Sequence, residues 1–121
     1  SYVLLVLDDS TDGGVSFSCF GMSTTINFIP GIELDRGEHI VRIRFGTDES
    51  FTKKSKSING VPFSQDKEFI RTFLEELKKE NDFIVKVGSE RTQRFTNLYG
   101  TKAKIEKYLS VAVNNEQFNC L

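Results

Sequence analysis

Two cysteines stand almost a whole chain apart, and whether they pair constrains this 121-residue sequence more than any other feature. Cys19 lies in Val15-Ser16-Phe17-Ser18-Cys19-Phe20, where apolar and serine positions alternate as in a half-buried strand. The alternation places the Cys19 thiol on the core face beside Val15 and Phe17. Cys120 follows the polar stretch Asn114-Asn115-Glu116-Gln117, which reads as a tail that must fold back if the thiols are to meet. A Cys19–Cys120 bridge would close a loop of about 100 residues, worth roughly 4–5 kcal/mol in the chain-entropy treatment. Such bridges persist in oxidising compartments. The alternative is two unpaired thiols, one buried and inert, the other exposed. The spacing fits no zinc pattern, because there is no CxxC and the chain has a single histidine.

The length suits one globular domain, residues 1–121, with room for a real core. A net charge of −1 leaves no global basic field to attract nucleic acid. The longest apolar run, Tyr2-Val3-Leu4-Leu5-Val6-Leu7, is far too short to span a bilayer and lacks the basic start and small-residue cleavage site of a signal peptide. The chain opens at Ser1 rather than Met, which leaves a removed leader and a trimmed start equally open.

Periodicity predicts the elements. Tyr2–Leu7 reads as a buried strand, followed by the turn signal Asp8-Asp9-Ser10-Thr11-Asp12-Gly13-Gly14. Strands follow over 15–20, 24–29 and 40–45, the last with Val41, Ile43 and Phe45 inward and Arg42 and Arg44 outward. The basic segment 51–58 suits an exposed edge strand, and Asn59-Gly60-Val61-Pro62 reads as a turn. Phe69, Ile70, Phe73, Leu74 and Leu77 predict a helix over about 66–81, capped by Ser64 or Asp66, with Lys78 and Lys79 at the negative end of its dipole. Strands at 82–87 and 94–98 and a C-terminal helix over about 101–113, capped by Thr101, complete the chain. The order is α+β: a mainly antiparallel sheet, with a sandwich-like arrangement as one form it can take, and two helices packed on it.

No residue set names a reaction. His39 beside Glu38 could serve as a general base, but a surface residue at a strand start is the favoured reading, and no second base or nucleophile motif accompanies it. Asp8, Asp9 and Asp12 could line a calcium loop, yet nothing supplies a distal bidentate glutamate, and a turn with solvated acids reads better. No metal and no cofactor are expected. Two basic patches stand out, Lys53-Lys54-Ser55-Lys56 and the later set Arg91, Arg94, Lys102, Lys104 and Lys107. Phe95 and Tyr99 interleave with the later set, as in single-strand binders, but Glu90 and Glu106 dilute it, so no nucleic-acid partner is expected. Arg42 and Arg44, if buried, would need Glu33, Asp35 or Asp48 as partners; a solvated or salt-bridged strand face is the plainer reading.

The early strand Cys19, the strand Val41-Arg42-Ile43-Arg44-Phe45, the helix carrying Phe69, Ile70, Phe73, Leu74 and Leu77, the strand Phe83–Val87, the segment from Phe95 through Ile105 and the terminal Cys120 together resemble the small exported bacterial proteins of the TagO/VasI type, accessories of type VI secretion, and related phage or prophage envelope proteins. The resemblance spans roughly residues 15–121. The chain departs from it in lacking tryptophan and in carrying Gly46 where an acidic residue often follows the arginine strand. It implies a pairing of Cys19 with Cys120, a periplasmic or otherwise extracytoplasmic location, and a domain without catalysis. The expected function is therefore a non-enzymatic accessory or binding domain of the bacterial envelope that recognises a protein partner, with Arg91, Arg94, Lys102 and Lys104 as the contact residues. An immunity or superinfection-exclusion protein that inhibits a toxin or phage component is the alternative.

Overall fold

The computed structural model of the protein describes residues 2–96, 98–114 and 120–121, without the side chains of 113 and 114. The tail expected before Cys120 therefore lies, over 115–119, outside the described residues. Eight strands form one sheet: β1 (Tyr2–Leu7), β2 (Gly14–Phe20), β3 (Ser23–Ile29), β4 (Gly37–Phe45), β5 (Phe51–Ser57), β6 (Pro62–Ser64), β7 (Phe83–Val87) and β8 (Thr92–Phe95). The helices are α1 (Lys67–Lys79) and α2 (Lys102–Asn114), the latter entered through a 3-10 turn at Tyr99–Thr101. The class is α+β, as the periodicity predicts. All described strand pairings are antiparallel, in the order β1-β2-β3-β6-β5-β4-β7-β8, so the elements form a single sheet rather than a sandwich of two.

The order follows from how the segments connect. β1, β2 and β3 are a meander, and β4, β5 and β6 are a second one that docks β6 against β3. Helix α1 then carries the chain back across the sheet to β7, which pairs with the far side of β4. The sheet curls around the helices until its outermost strands approach at one end, where the Asp9 amide donates to the Arg94 carbonyl at 2.8 Å. One face of every strand thus turns inward. Leu4, Val6, Val15, Phe17, Ile26, Phe28, Val41, Ile43, Phe45, Phe83, Val85 and Phe95 pack there on Ile70, Phe73, Leu74 and Leu77 of α1 and Ile105, Tyr108 and Ala112 of α2.

Phenylalanine is common in this chain because rings fill that space. Phe73 sits at its centre, with the rings of Phe17, Phe28, Phe45, Phe69 and Phe83 at 5.7, 6.3, 4.9, 6.0 and 5.6 Å, mostly edge-on, as ring quadrupoles prefer. Phe83 and Phe95 stack across β7 and β8 at 4.1 Å. Helix α1 starts where a capping residue allows: the Asp66 carboxylate accepts from the Phe69 amide at 3.1 Å. Ser64, the other expected cap, instead accepts from the Asp66 amide through its hydroxyl.

The bridge closes the fold. Cys19 and Cys120 are joined, with Cα atoms 5.8 Å apart and both residues fully buried. Cys120 reaches this place because its amide donates to the Ala112 carbonyl at 3.1 Å, folding the C-terminus back over α2.

Several expectations from sequence change here. Tyr2–Leu7 is an edge strand rather than a buried one: Leu4 and Val6 point inward, while Val3, Leu5 and Leu7 are exposed. Strand β5 is not an edge but sits between β6 and β4. Its inward positions, Lys53, Ser55 and Ser57, are polar: Lys53 meets the start of α1, binding Asp66 at 2.7 Å and lying over the Phe69 ring, while the buried hydroxyls of Ser55 and Ser57 have no hydrogen-bond partner among the described residues. Pro62 does not end a turn but opens β6, and the last strand begins at Thr92, two residues before the expected start. Thr101 belongs to the 3-10 turn rather than capping α2.

Candidate binding surface

The acidic turn after β1 is an internal joint. Asp8 is buried, and its carboxylate accepts from the Ser10 amide and hydroxyl, from Arg91 Nη2 at 2.7 Å and from Gln93 Nε2 at 2.9 Å. Gln93 also donates to the Ile29 carbonyl at 2.7 Å, so one carboxylate ties β1, the end of β3 and β8. Burial alone would raise Asp8, but the hydrogen bonds from Ser10, Gln93 and Arg91, with the Arg91 charge, outweigh it and bring the carboxyl to about 2. Asp9 is held by the Thr96 amide and hydroxyl. A metal loop is not what this turn builds: its best carboxylate is already satisfied by the protein.

The four expected contact residues have different roles. Arg91 is the partner of Asp8 and joins the fold. Lys102 donates to the Leu77 carbonyl at 2.6 Å and to the Glu80 carbonyl, closing the C-terminal end of α1; burial lowers its pKa, with the Glu80 charge opposing. Arg94 lies on the outer face of β8, and Lys104 lines a groove beside β1. The structure thus engages two of the four internally, and the other two, on separate features, have no ion-pair partner among the described residues.

Arg94 has company that sequence reading did not assemble. The register places Arg42 of β4 directly opposite Lys86 of β7, Arg44 opposite Ile84, and Ile84 opposite Arg94. On the other side of β4, Lys54 and Lys56 of β5 stand opposite Ile40 and Glu38. Arg42, Arg44, Lys54, Lys56, Lys86 and Arg94 therefore share the outer face of four adjacent strands, and all six are exposed. Glu38 is the acid in this array, and among the described residues none of the six cations has an ion-pair partner. Like charges directly opposite on a sheet, as Arg42 and Lys86 are, cost stability rather than add it. The expected partners Glu33, Asp35 and Asp48 are not used, because neither arginine is buried. The alternation Arg42-x-Arg44 carried the signal; that Lys86 and Arg94 would join it required the strand order.

Among the described residues nothing assembles a catalytic pair around His39. Its Nε2 donates to the Asp35 carbonyl at 2.7 Å. Asp48, Glu76 and Glu80 bring one carboxylate oxygen each within 4.8 Å of one another near the end of α1, with Lys79 at 3.9 Å from Glu76. The sequence names Asp48 only as a candidate partner for Arg42 and Arg44 and does not join it with Glu76 and Glu80, since Asp48 is far from α1 along the chain.

Among the described residues no helix is long and apolar enough to cross a membrane. No family model matches the chain, and neither does any curated protein or solved structure compared with it.

Proposed function

We propose that this protein is a non-enzymatic recognition domain of an oxidising, extracytoplasmic compartment, and that the outer face of β5, β4, β7 and β8 binds an acidic protein partner. The observation that carries the reading is the array of six exposed cations, without an ion-pair partner among the described residues, on a surface where the like-charge pairing of Arg42 with Lys86 has no stabilising role. The residues between them, Ile40 and Ile84, are aliphatic. That favours a protein over a single-stranded nucleic acid, which would need aromatic platforms for its bases. The buried bridge supports export and gives the sheet a fixed shape. The setting in a bacterial envelope, and an accessory role in secretion or in a phage-related process, rest on the resemblance drawn from sequence.

The test uses polyglutamate and a single-stranded oligonucleotide of equal charge as probes. Polyglutamate is expected to bind with salt-sensitive affinity and to lose at least tenfold in Arg42→Glu/Arg44→Glu, whose side chains make no ion pair among the described residues. Preference for the oligonucleotide, or binding indifferent to the double variant, refutes the reading.

A further inference from the structure

The edge of β1 is the most unusual surface of the molecule. Edge strands normally carry charge, proline or a bulge that discourages further pairing, and Tyr2-Val3-Leu4-Leu5-Val6-Leu7 carries no charge and no proline. The hairpin between β2 and β3 fixes which backbone groups face outward. Its turn has two residues, Gly21 and Met22, so Phe20 and Ser23 form its closing hydrogen-bonded pair. Alternation then directs the groups of Cys19, Phe17 and Val15 toward β1, where they meet Tyr2, Leu4 and Val6. The amides and carbonyls of Val3, Leu5 and Leu7 point away from the sheet. Asp9, the next residue in that series, confirms the direction by donating to the Arg94 carbonyl.

Beside that edge runs a channel. One groove of about 520 Å³ lies between Leu5–Leu7 and the segment around Phe95, Leu98 and Lys104. A second, of about 390 Å³, continues along Tyr2–Leu5 to Lys104 and Lys107 of α2. The outermost strands are hydrogen-bonded at Asp9 and Arg94, and among the described residues β1 is paired with β2 alone. The chemistry of the channel differs on its two sides. Val3, Leu5 and Leu7 expose 59, 49 and 52% of their surface on the outer face. Lys104 and Lys107, one helical turn apart, stand on the inner side with no ion-pair partner among the described residues. The acids of the channel, Asp8 and Asp9, lie at its closed end and are already bonded to Arg91 and Thr96.

We propose that β1 accepts an extended segment of a partner protein as a ninth strand, and that this segment alternates apolar and acidic side chains. Successive side chains of a strand point to opposite faces. One set would therefore lie against Val3, Leu5 and Leu7, while the other would meet Lys104 and Lys107. The main-chain hydrogen bonds would come from the outward groups of β1. Six residues suffice, since β1 is six residues long. A second copy of the chain fits less well, because two-fold pairing of β1 with itself would bring the two lysine pairs toward each other.

The probe is an end-blocked octapeptide of alternating valine and glutamate, compared with the same composition in two blocks and with alternating valine and lysine. Saturable binding of the first peptide is expected, with slowed exchange at the amides of Val3, Leu5 and Leu7. Lys104→Glu/Lys107→Glu, both exposed, should weaken it at least tenfold. Leu5→Pro should abolish it, since proline there removes an outward donor and leaves the bonds to β2. Arg42→Glu/Arg44→Glu should bind the peptide unchanged, which separates this site from the basic face. Equal binding of the blocked peptide, unaltered exchange at the three amides, or a dimer through β1 that the peptide does not dissociate each overturns the proposal.

Discussion

Replacing Asp8 by Asn tests whether one buried carboxylate holds the two ends of the sheet together. The substitution keeps the shape and removes the charge that Arg91 and Gln93 donate to. A drop from the ordinary 3.8 to about 2 corresponds to about 2.5 kcal/mol of stability near neutral pH. Because the folded-state value is the lower one, this stability is complete well above pH 4 and is lost as pH falls toward 2. About 1.3 kcal/mol should remain at pH 3 and about 0.4 kcal/mol at pH 2. The assay is urea unfolding of wild type and Asp8→Asn at pH 7, 4, 3 and 2, with the disulfide intact. At pH 7 the midpoint should fall by about 1.5 M, taking a slope of about 1.5–2 kcal/mol per M. The two proteins should converge as the wild-type carboxyl protonates. A gap that stays constant from pH 7 to pH 2 refutes the reasoning, because it would mean that shape rather than charge made the difference.

Two further predictions concern the same framework. Joint replacement of Cys19 and Cys120 by Ala should cost about 4.7 kcal/mol, the loop-closure value for a separation near 101 residues, read as a lowered urea midpoint; a loss below about 1 kcal/mol would show that the C-terminus docks without the bridge. Gly13→Ala should destabilise strongly, by about 2–4 kcal/mol, because a Cβ there would stand 2.4 Å from the Ile29 carbonyl oxygen and 2.6 Å from Gln93 Nε2, with Asp8 behind them; a fully stable variant would place that turn elsewhere.

Much of the architecture can be read residue by residue. The alternation of Val15, Phe17 and Cys19 marks a strand with its thiol inward, and the spacing of Phe69, Ile70, Phe73, Leu74 and Leu77 marks the face of α1 that packs on the sheet. The candidate surface was less legible. Arg91 and Lys102 look like free cations in the sequence, and only the fold brings Asp8, 83 residues away, and the end of α1 to them. Arg42 and Arg44 were visibly outward, but Lys86 and Arg94 join them because α1 returns the chain to the far side of β4.

The division has one physical origin. Periodicity is local, so the sequence alone determines the longer helices and strands, which of their faces turn inward and that the Cys19 thiol belongs to the core, while the three-residue β6 is too short to show a period. A strand shows the same period of two whether it lies at an edge or in the middle, so tertiary structure alone decided that apolar β1 borders the sheet and basic β5 is enclosed by it. It likewise decided which charges the protein keeps for itself and which it presents to a partner, because a charge finds its counterion through space rather than along the chain.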